Sequence, residues 1–211
     1  NQLHNCDMSD LASSVNSFFQ QVAADLSPLS IDPPPPPSVF PFEFVISKAA
    51  VERKLMQIKI HKAPGPDNLP NWVLRDFCMQ LSGPVCAIFN ASIREGFVPA
   101  RWKEANVIPV PKVQPPKSVE SDLRPISLTA TLGKLLESFV GGWILGRIVD
   151  KLDDHQYGGL KRRSTTHALV DMLHHWHSAA DKGQSARVVF IDFAKAFDHV
   201  DHNIQIGRAH V

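Results

Sequence analysis

Leu11, Val15, Phe18, Val22 and Leu26 recur at spacings of four, three, four and four, which sets them along one face of an amphipathic helix, with Ser9 or Asp10 placed to cap it. That helix is expected to end near Ser27-Pro28. Five consecutive prolines follow, Pro33 to Pro37. They favour extended polyproline II and read as a stiff linker rather than a docking site for a proline-reading domain. A second helix starts at Ser47, with Val51, Leu55 and Ile58 lining one face and Glu52, Arg53, Lys54 and Lys59 elsewhere. It gives way to His61-Lys62-Ala63-Pro64-Gly65-Pro66-Asp67-Asn68, whose prolines and glycine forbid regular structure. Two more helices are expected next. One carries Trp72, Leu74, Phe77, Met79 and Leu81, and the other opens at Pro84 and stops at Gly96.

Between Trp102 and Leu128 the pattern shortens to strands. Ala105 to Val110 is β-rich but interrupted by Pro109, so it belongs at an edge or a bulge. Pro115 to Ser118 reads as a hairpin-type loop, and Leu123 to Leu128 as the returning strand. Helices are expected over about 131–152 and 164–180. Gly142 and Gly146 stand at GxxxG spacing, a sign of close helix packing or of a weak helix. Ala186-Arg187-Val188-Val189-Phe190-Ile191 is the clearest buried strand in the chain. The pattern describes an α+β chain, mostly helical, with short antiparallel strands.

Composition narrows the classes. The chain has 211 residues, 22 Lys+Arg against 21 Asp+Glu and a formal charge of +1, so any surface for nucleic acid must be local. An apolar share of 44% excludes wholesale disorder. Cys6, Cys78 and Cys86 form no CxxC pair or disulfide framework; the latter two read as inert buried thiols. With no secretory signal, a reducing intracellular compartment is expected. The charge-free run from Phe77 to Ile93 is broken by Ser82-Gly83-Pro84 and is too polar to span a bilayer. The first residue is Asn1, not Met, as expected of a piece of something longer.

Candidate chemistry gathers in three places. The apolar run into Asp192 ends a strand on a carboxylate, and Asp198 follows past a short turn. A strand-end carboxylate on a rigid element can hold Mg²⁺, which takes only one or two oxygen ligands from protein. The bland reading makes Asp192 a turn cap and Asp198 a solvated acid. Histidines cluster at His167, His174, His175, His177, His199 and His202; the seven-residue spacing of His167 and His174 can put two imidazoles on one helix face, but His174, His175 and His177 point in three directions and no His-Glu-x-x-His pattern exists. Basic residues collect at Lys161-Arg162-Arg163, before a helix start at Ser164, and at Lys103, Lys112, Lys117 and Arg124. Such clusters hold phosphates or form solvated faces. No Gly-rich phosphate loop is present.

Four ordered blocks then converge on a family. Phe190-Ile191-Asp192-Phe193-Ala194-Lys195-Ala196-Phe197-Asp198 resembles the first catalytic motif of reverse transcriptases from non-LTR (LINE-like) retrotransposons. Lys62 to Asp67 resembles the motif ahead of the fingers. Trp102-Lys103 through Val107 to Lys112, with Leu123-Arg124-Pro125-Ile126-Ser127-Leu128, resembles the fingers strands. Gln156-Tyr157-Gly158-Gly159 through Arg163-Ser164-Thr165-Thr166-His167-Ala168 resembles the segment leading into the palm. Asn68 stands where glycine is usual, and Gly159 where an aromatic is usual.

The resemblance implies a right-hand polymerase, here its fingers and part of the palm, copying RNA into DNA with two Mg²⁺ ions, a role Mn²⁺ can also fill. Asp192 would ligate metal beside the backbone carbonyl of Phe193, and Phe197 would be the steric gate against a ribose 2′-hydroxyl. Arg124, and less directly Lys112, would meet the incoming triphosphate. Asp198 would be structural support. RNA template, DNA primer and dNTP are the implied partners, with Lys161, Arg162 and Arg163 as nucleic-acid contacts. No membrane is implied, the oligomeric state is open, and the nucleus is the expected location. The second catalytic motif, an aromatic-Ala-Asp-Asp turn, does not occur in the sequence, so this chain is expected to be inactive.

The expected organisation is an N-terminal helix and Pro-rich linker over 1–46, a partial reverse transcriptase domain over 47–205, and a non-native tail over 206–211, where Ile206 to Val211 looks like translated adapter read-through. Two rival functions are carried forward. One is a non-catalytic nucleic-acid-binding remnant using Arg124, Arg162 and Arg163. The other is a metallohydrolase built on the Asp198 to His202 cluster.

Overall fold

Ser47 sits in extended backbone and its hydroxyl accepts from the Ala50 N–H, which starts helix α2, Lys48–Met56. In this computed structural model the described residues are 8–21, 44–193 and the isolated positions 24, 26, 27, 30, 196, 199–201, 203 and 204. Pro33 to Pro37, Cys6, Val22, Phe197, Asp198, His202 and the 206–211 tail lie outside them. Helix α1, Met8–Gln21, precedes α2; α3, Asn71–Asp76, and α4, Cys78–Glu95, follow. A short α5, Ala100–Lys103, leads into β1, Ala105–Pro111. The returning strand β2, Leu123–Thr129, is entered through α6, Val119–Asp122. Helix α7, Thr131–Ile148, runs into a 3₁₀ turn at Val149–Lys151, and α8 covers Thr165–Asp181.

Two units are resolved: residues 1–141 with 195–211, and residues 142–194. The first has a core. On α4, Cys78, Ser82, Val85, Phe89 and Ser92 form a buried stripe at spacings of four and three, the period of a helix face laid against its neighbours. Val51 and Leu55 of α2, Leu74 of α3 and Leu136 of α7 complete the buried set. Phe89 meets Trp102 edge-on at 5.7 Å and Phe139 at 6.2 Å. Asn90 holds the entry to α2 from both sides: it accepts from the Ile46 N–H at 2.8 Å and donates to the Ile46 carbonyl at 2.9 Å. Pro84 lies inside α4 rather than at a helix start. The continuous stripe on either side offsets the one N–H that proline removes. Gly96 closes the helix in the left-handed conformation, φ 62°.

β1 and β2 pair antiparallel as a two-stranded sheet, with Ala105 opposite Thr129 and Pro111 opposite Leu123. Pro109 faces Pro125, and Lys112 continues the ladder by donating its N–H to the Asp122 carbonyl at 2.7 Å. That bond sets the alternation: prolines 109, 111 and 125 all fall at non-hydrogen-bonded pairs, where no ladder donor is lost.

In the second unit no described residue is buried. Here the structure corrects the sequence reading. The 186–191 run forms no strand, and Val189, Phe190 and Ile191 are about four-fifths exposed. A strand exists through its ladder partner, and no strand runs beside this one among the described residues. A Cβ added at Gly142 or Gly146 would meet nothing within 4 Å, so close packing does not explain their GxxxG spacing. Among the described residues no helix is long and apolar enough to cross a membrane.

Candidate functional site

The hairpin sorts its side chains by face. Residues directly opposite in an antiparallel pair share a face and neighbours alternate, so Ile108, Val110 and Lys112 lie with Arg124 and Ile126. The two cations singled out for a triphosphate therefore share one side of the sheet. They differ in availability. Lys112 Nζ donates to the Ser121 carbonyl at 2.7 Å, whereas Arg124 is exposed and its guanidinium has no partner among the described residues. On the other face, Val107, Pro109 and Leu123 meet Leu11, Val15 and Phe19 of α1 around a mostly apolar cavity of about 670 Å³. One face of the hairpin thus lines the cavity against α1 and the face carrying Arg124 does not, while β1 is exposed along its whole length.

The loop behind the hairpin is organised by Asp122. Its carboxylate accepts from the N–H groups of Lys117, at 2.8 Å, and Ser118, at 3.2 Å, and from the Ser121 hydroxyl at 2.7 Å. The Lys117 amide, then the Ser121 hydroxyl and the Ser118 amide, hold this acid below the usual carboxylate range.

The Lys62 to Asn68 segment is a backbone wedge. A Cβ on Gly65 would collide with the backbone of Thr129 and Ala130, where β2 passes into α7, so only glycine fits. Asp67 accepts from the Leu69 N–H, and Asn68 adopts φ 53°. Asn71, 4% exposed, then ties the wedge down. It donates to the carbonyls of Lys59 and Lys62 and accepts from the Thr131 hydroxyl at 2.7 Å. Sequence reasoning missed Asn71; its one signal was a polar residue set directly before the apolar run Trp72-Val73-Leu74.

In the second unit the Lys161-Arg162-Arg163 cluster does not act as three equal charges. Lys161 and Arg162 are exposed and without partners among the described residues, with Arg162 at φ 66°. Arg163 is turned inward. Its Nη1 donates to the carbonyls of Asp153 at 3.0 Å, Asp154 at 2.6 Å and Gln156 at 3.0 Å, and its Nη2 lies 3.5 Å from the Asp154 carboxylate. Asp171 of α8 lies 4.0 Å from His155 Nε2 on the same loop. Desolvation, then interaction with the Asp171 carboxylate, pushes the Tyr157 phenol upward. Ser164 caps α8 through the His167 N–H.

Asp192 and Phe193 are exposed at the end of the 184–193 segment. A carboxylate and a carbonyl are the hard oxygen donors Mg²⁺ takes, so both fit part of such a site. Among the described residues no group of three or more His, Cys, Asp or Glu side chains converges as a metal site.

Comparison with known proteins adds lineage to this geometry. Residues 110–211 match the family described as reverse transcriptase (RNA-dependent DNA polymerase). The chain is 30% identical over 156 residues, 73% of its length, to the probable RNA-directed DNA polymerase from transposon BS of Drosophila melanogaster, covering 17% of that protein. It is 28% identical over 170 residues, 77% of its length, to the RNA-directed DNA polymerase from mobile element jockey of the same species, covering 18% of it. A putative 115 kDa protein in the type-1 retrotransposable element R1DM of Drosophila melanogaster is 26% identical over 208 residues, 96% of the chain and 19% of that protein. The chain therefore spans less than a fifth of these relatives. An α+β chain with a proline-marked antiparallel hairpin and these matched residues belongs to the reverse transcriptase family. Within it, the chain falls among the LINE-like, non-LTR retrotransposon elements.

Proposed function

We propose that this chain is the nucleotide- and template-binding part of an RNA-directed DNA polymerase from a LINE-like retrotransposon, its fingers and the start of its palm. The carrying observation is Arg124: an exposed guanidinium, unpartnered among the described residues, on a hairpin whose other face lines the cavity against α1. A planar fork held on a sheet suits triphosphate oxygens. Lys112 adds positive charge on the same face while anchoring the loop. Lys161 and Arg162 would meet backbone phosphates, and Phe197 would exclude a 2′-hydroxyl. Asp192 and the Phe193 carbonyl would hold Mg²⁺; in the whole polymerase two such ions would activate the primer 3′-hydroxyl and offset charge on the leaving pyrophosphate. RNA template, DNA primer and dNTP are the proposed partners, and the nucleus the proposed site of action.

The sequence carries Asp192 but no aromatic-Ala-Asp-Asp segment, and the chain is accordingly proposed to bind without turning over. The test is dNTP affinity by equilibrium dialysis alongside primer extension on an RNA template with Mg²⁺. Arg124→Ala is expected to weaken dNTP binding about tenfold, with Arg124→Lys recovering only part. Extension should stay at background. Binding indifferent to Arg124→Ala would sink the assignment of that face, and extension by the chain alone would sink the claim that it lacks turnover.

A further inference from the structure

Among the three adjacent cations before α8, Arg163 has the least freedom to reach a ligand. A single nitrogen with two hydrogens serves three carbonyl oxygens at 2.6–3.0 Å, and the second nitrogen faces a carboxylate. Those carbonyls belong to residues seven to ten positions earlier, so the side chain closes the chain between 153 and 163 into a loop with a cation at its neck. Two further ties hold the neck. The Gln156 N–H donates to the Asp153 carbonyl at 3.0 Å, and Gln156 Nε2 donates to the Gly158 carbonyl at 2.9 Å. His155, in edge-on contact with Tyr157 at 6.4 Å, lies 4.0 Å from the Asp171 carboxylate on α8. Within the loop, Gly159 and Arg162 adopt φ 77° and 66°, and Lys161 and Arg162 stand exposed and unpartnered among the described residues.

We propose that Arg163 is a positioning residue: it closes the 153–163 loop so that Lys161 and Arg162 are presented as a paired contact for the phosphates of single-stranded nucleic acid. This rests on the proposed nucleic-acid reading of the cluster but assigns its three cations two different jobs. A phosphate contact works through charge and tolerates lysine for arginine. A neck does not, because lysine ends short of the carbonyls and has no second nitrogen for Asp154.

The experiment uses the full chain and a labelled oligouridylate, measuring affinity against KCl concentration together with amide hydrogen exchange over 153–163. Lys161→Ala and Arg162→Ala should each flatten the slope of log affinity against log salt by about 0.7, leaving exchange unchanged. Arg163→Lys, which keeps the charge, should flatten it by as much as losing both contacts, about 1.4, and should speed exchange across the loop. Asp171→Asn keeps all three cations and releases the neck from α8, so it should weaken binding in the same direction; it carries the test if Arg163→Lys does not fold. Wild-type affinity and slope in Arg163→Lys would overturn the positioning role while leaving the cluster as a binding surface. If the wild-type chain itself shows no salt-dependent binding, the surface reading falls and the inference with it, however well the loop is protected.

Discussion

Single positions carry more of this molecule's logic than their chemistry suggests. Gly65 is held by a backbone sixty-odd residues away: a methyl group there would meet the peptide joining Thr129 to Ala130. Gly65→Ala is expected to lower stability by about 3 kcal/mol, read from the urea midpoint, because neither backbone can yield alone. Asn68 explains itself through φ 53°, since asparagine is the side chain that best tolerates the left-handed region where glycine is usual. Arg162 has the same geometry without that tolerance. Arg162→Gly should stabilise the chain by about 1 kcal/mol in thermal denaturation while flattening the salt dependence of RNA binding. A rise in stability with no loss of affinity would separate the strain from the function. The sequence already displayed Asn68 as a departure from the family pattern; the reason became visible only in a dihedral angle.

At the scale of elements, what was legible depended on whether the cause was local. The start of α2 followed from Ser47, the end of α4 from Gly96, and the hairpin from its β-rich runs and the loop at Pro115 to Ser118, all within a few residues of the feature they set. Asn71, Arg163 and Asp122 were not legible as organisers, because their partners are carbonyls and amides that any sequence supplies and only folding brings near. Asp122 yields a pH prediction. Its folded pKa is depressed, so its contribution to the hairpin loop is complete above the ordinary carboxylate pKa and is lost as pH falls through the lower folded value. Exchange protection at the Lys117 and Ser118 amides should therefore be steady from neutral pH to about pH 4 and collapse below it, after correction for intrinsic rates. In Asp122→Asn the protection should be low throughout, and a pH-independent wild type would contradict this account.

At the scale of the whole chain, the two units differ in kind. Residues 1–141 enclose Phe89, Leu55 and Val51 at 0% exposure, while among the described residues of 142–194 nothing is buried. The misread strand at 186–191 follows from that difference. Hydrophobicity and β-branching state what a segment would gain by burial, not whether a neighbour is there to provide it. Chymotrypsin should accordingly cut first at Phe190 or Phe193, 80% and 77% exposed, and leave Phe89 intact until global unfolding, as peptide mapping over time would reveal. Early cleavage at Phe89 would mean that the helical core is not the stable part. The hairpin carries the opposite provision. Because prolines 109, 111 and 125 occupy the pairs whose amides point away from the ladder, both outer rims of this small sheet are missing donors. No third strand can zip onto either rim in full register, from this chain or from another. The hairpin is a sheet that terminates itself, able to leave a flat, partly apolar face exposed without offering its margins to fibre growth.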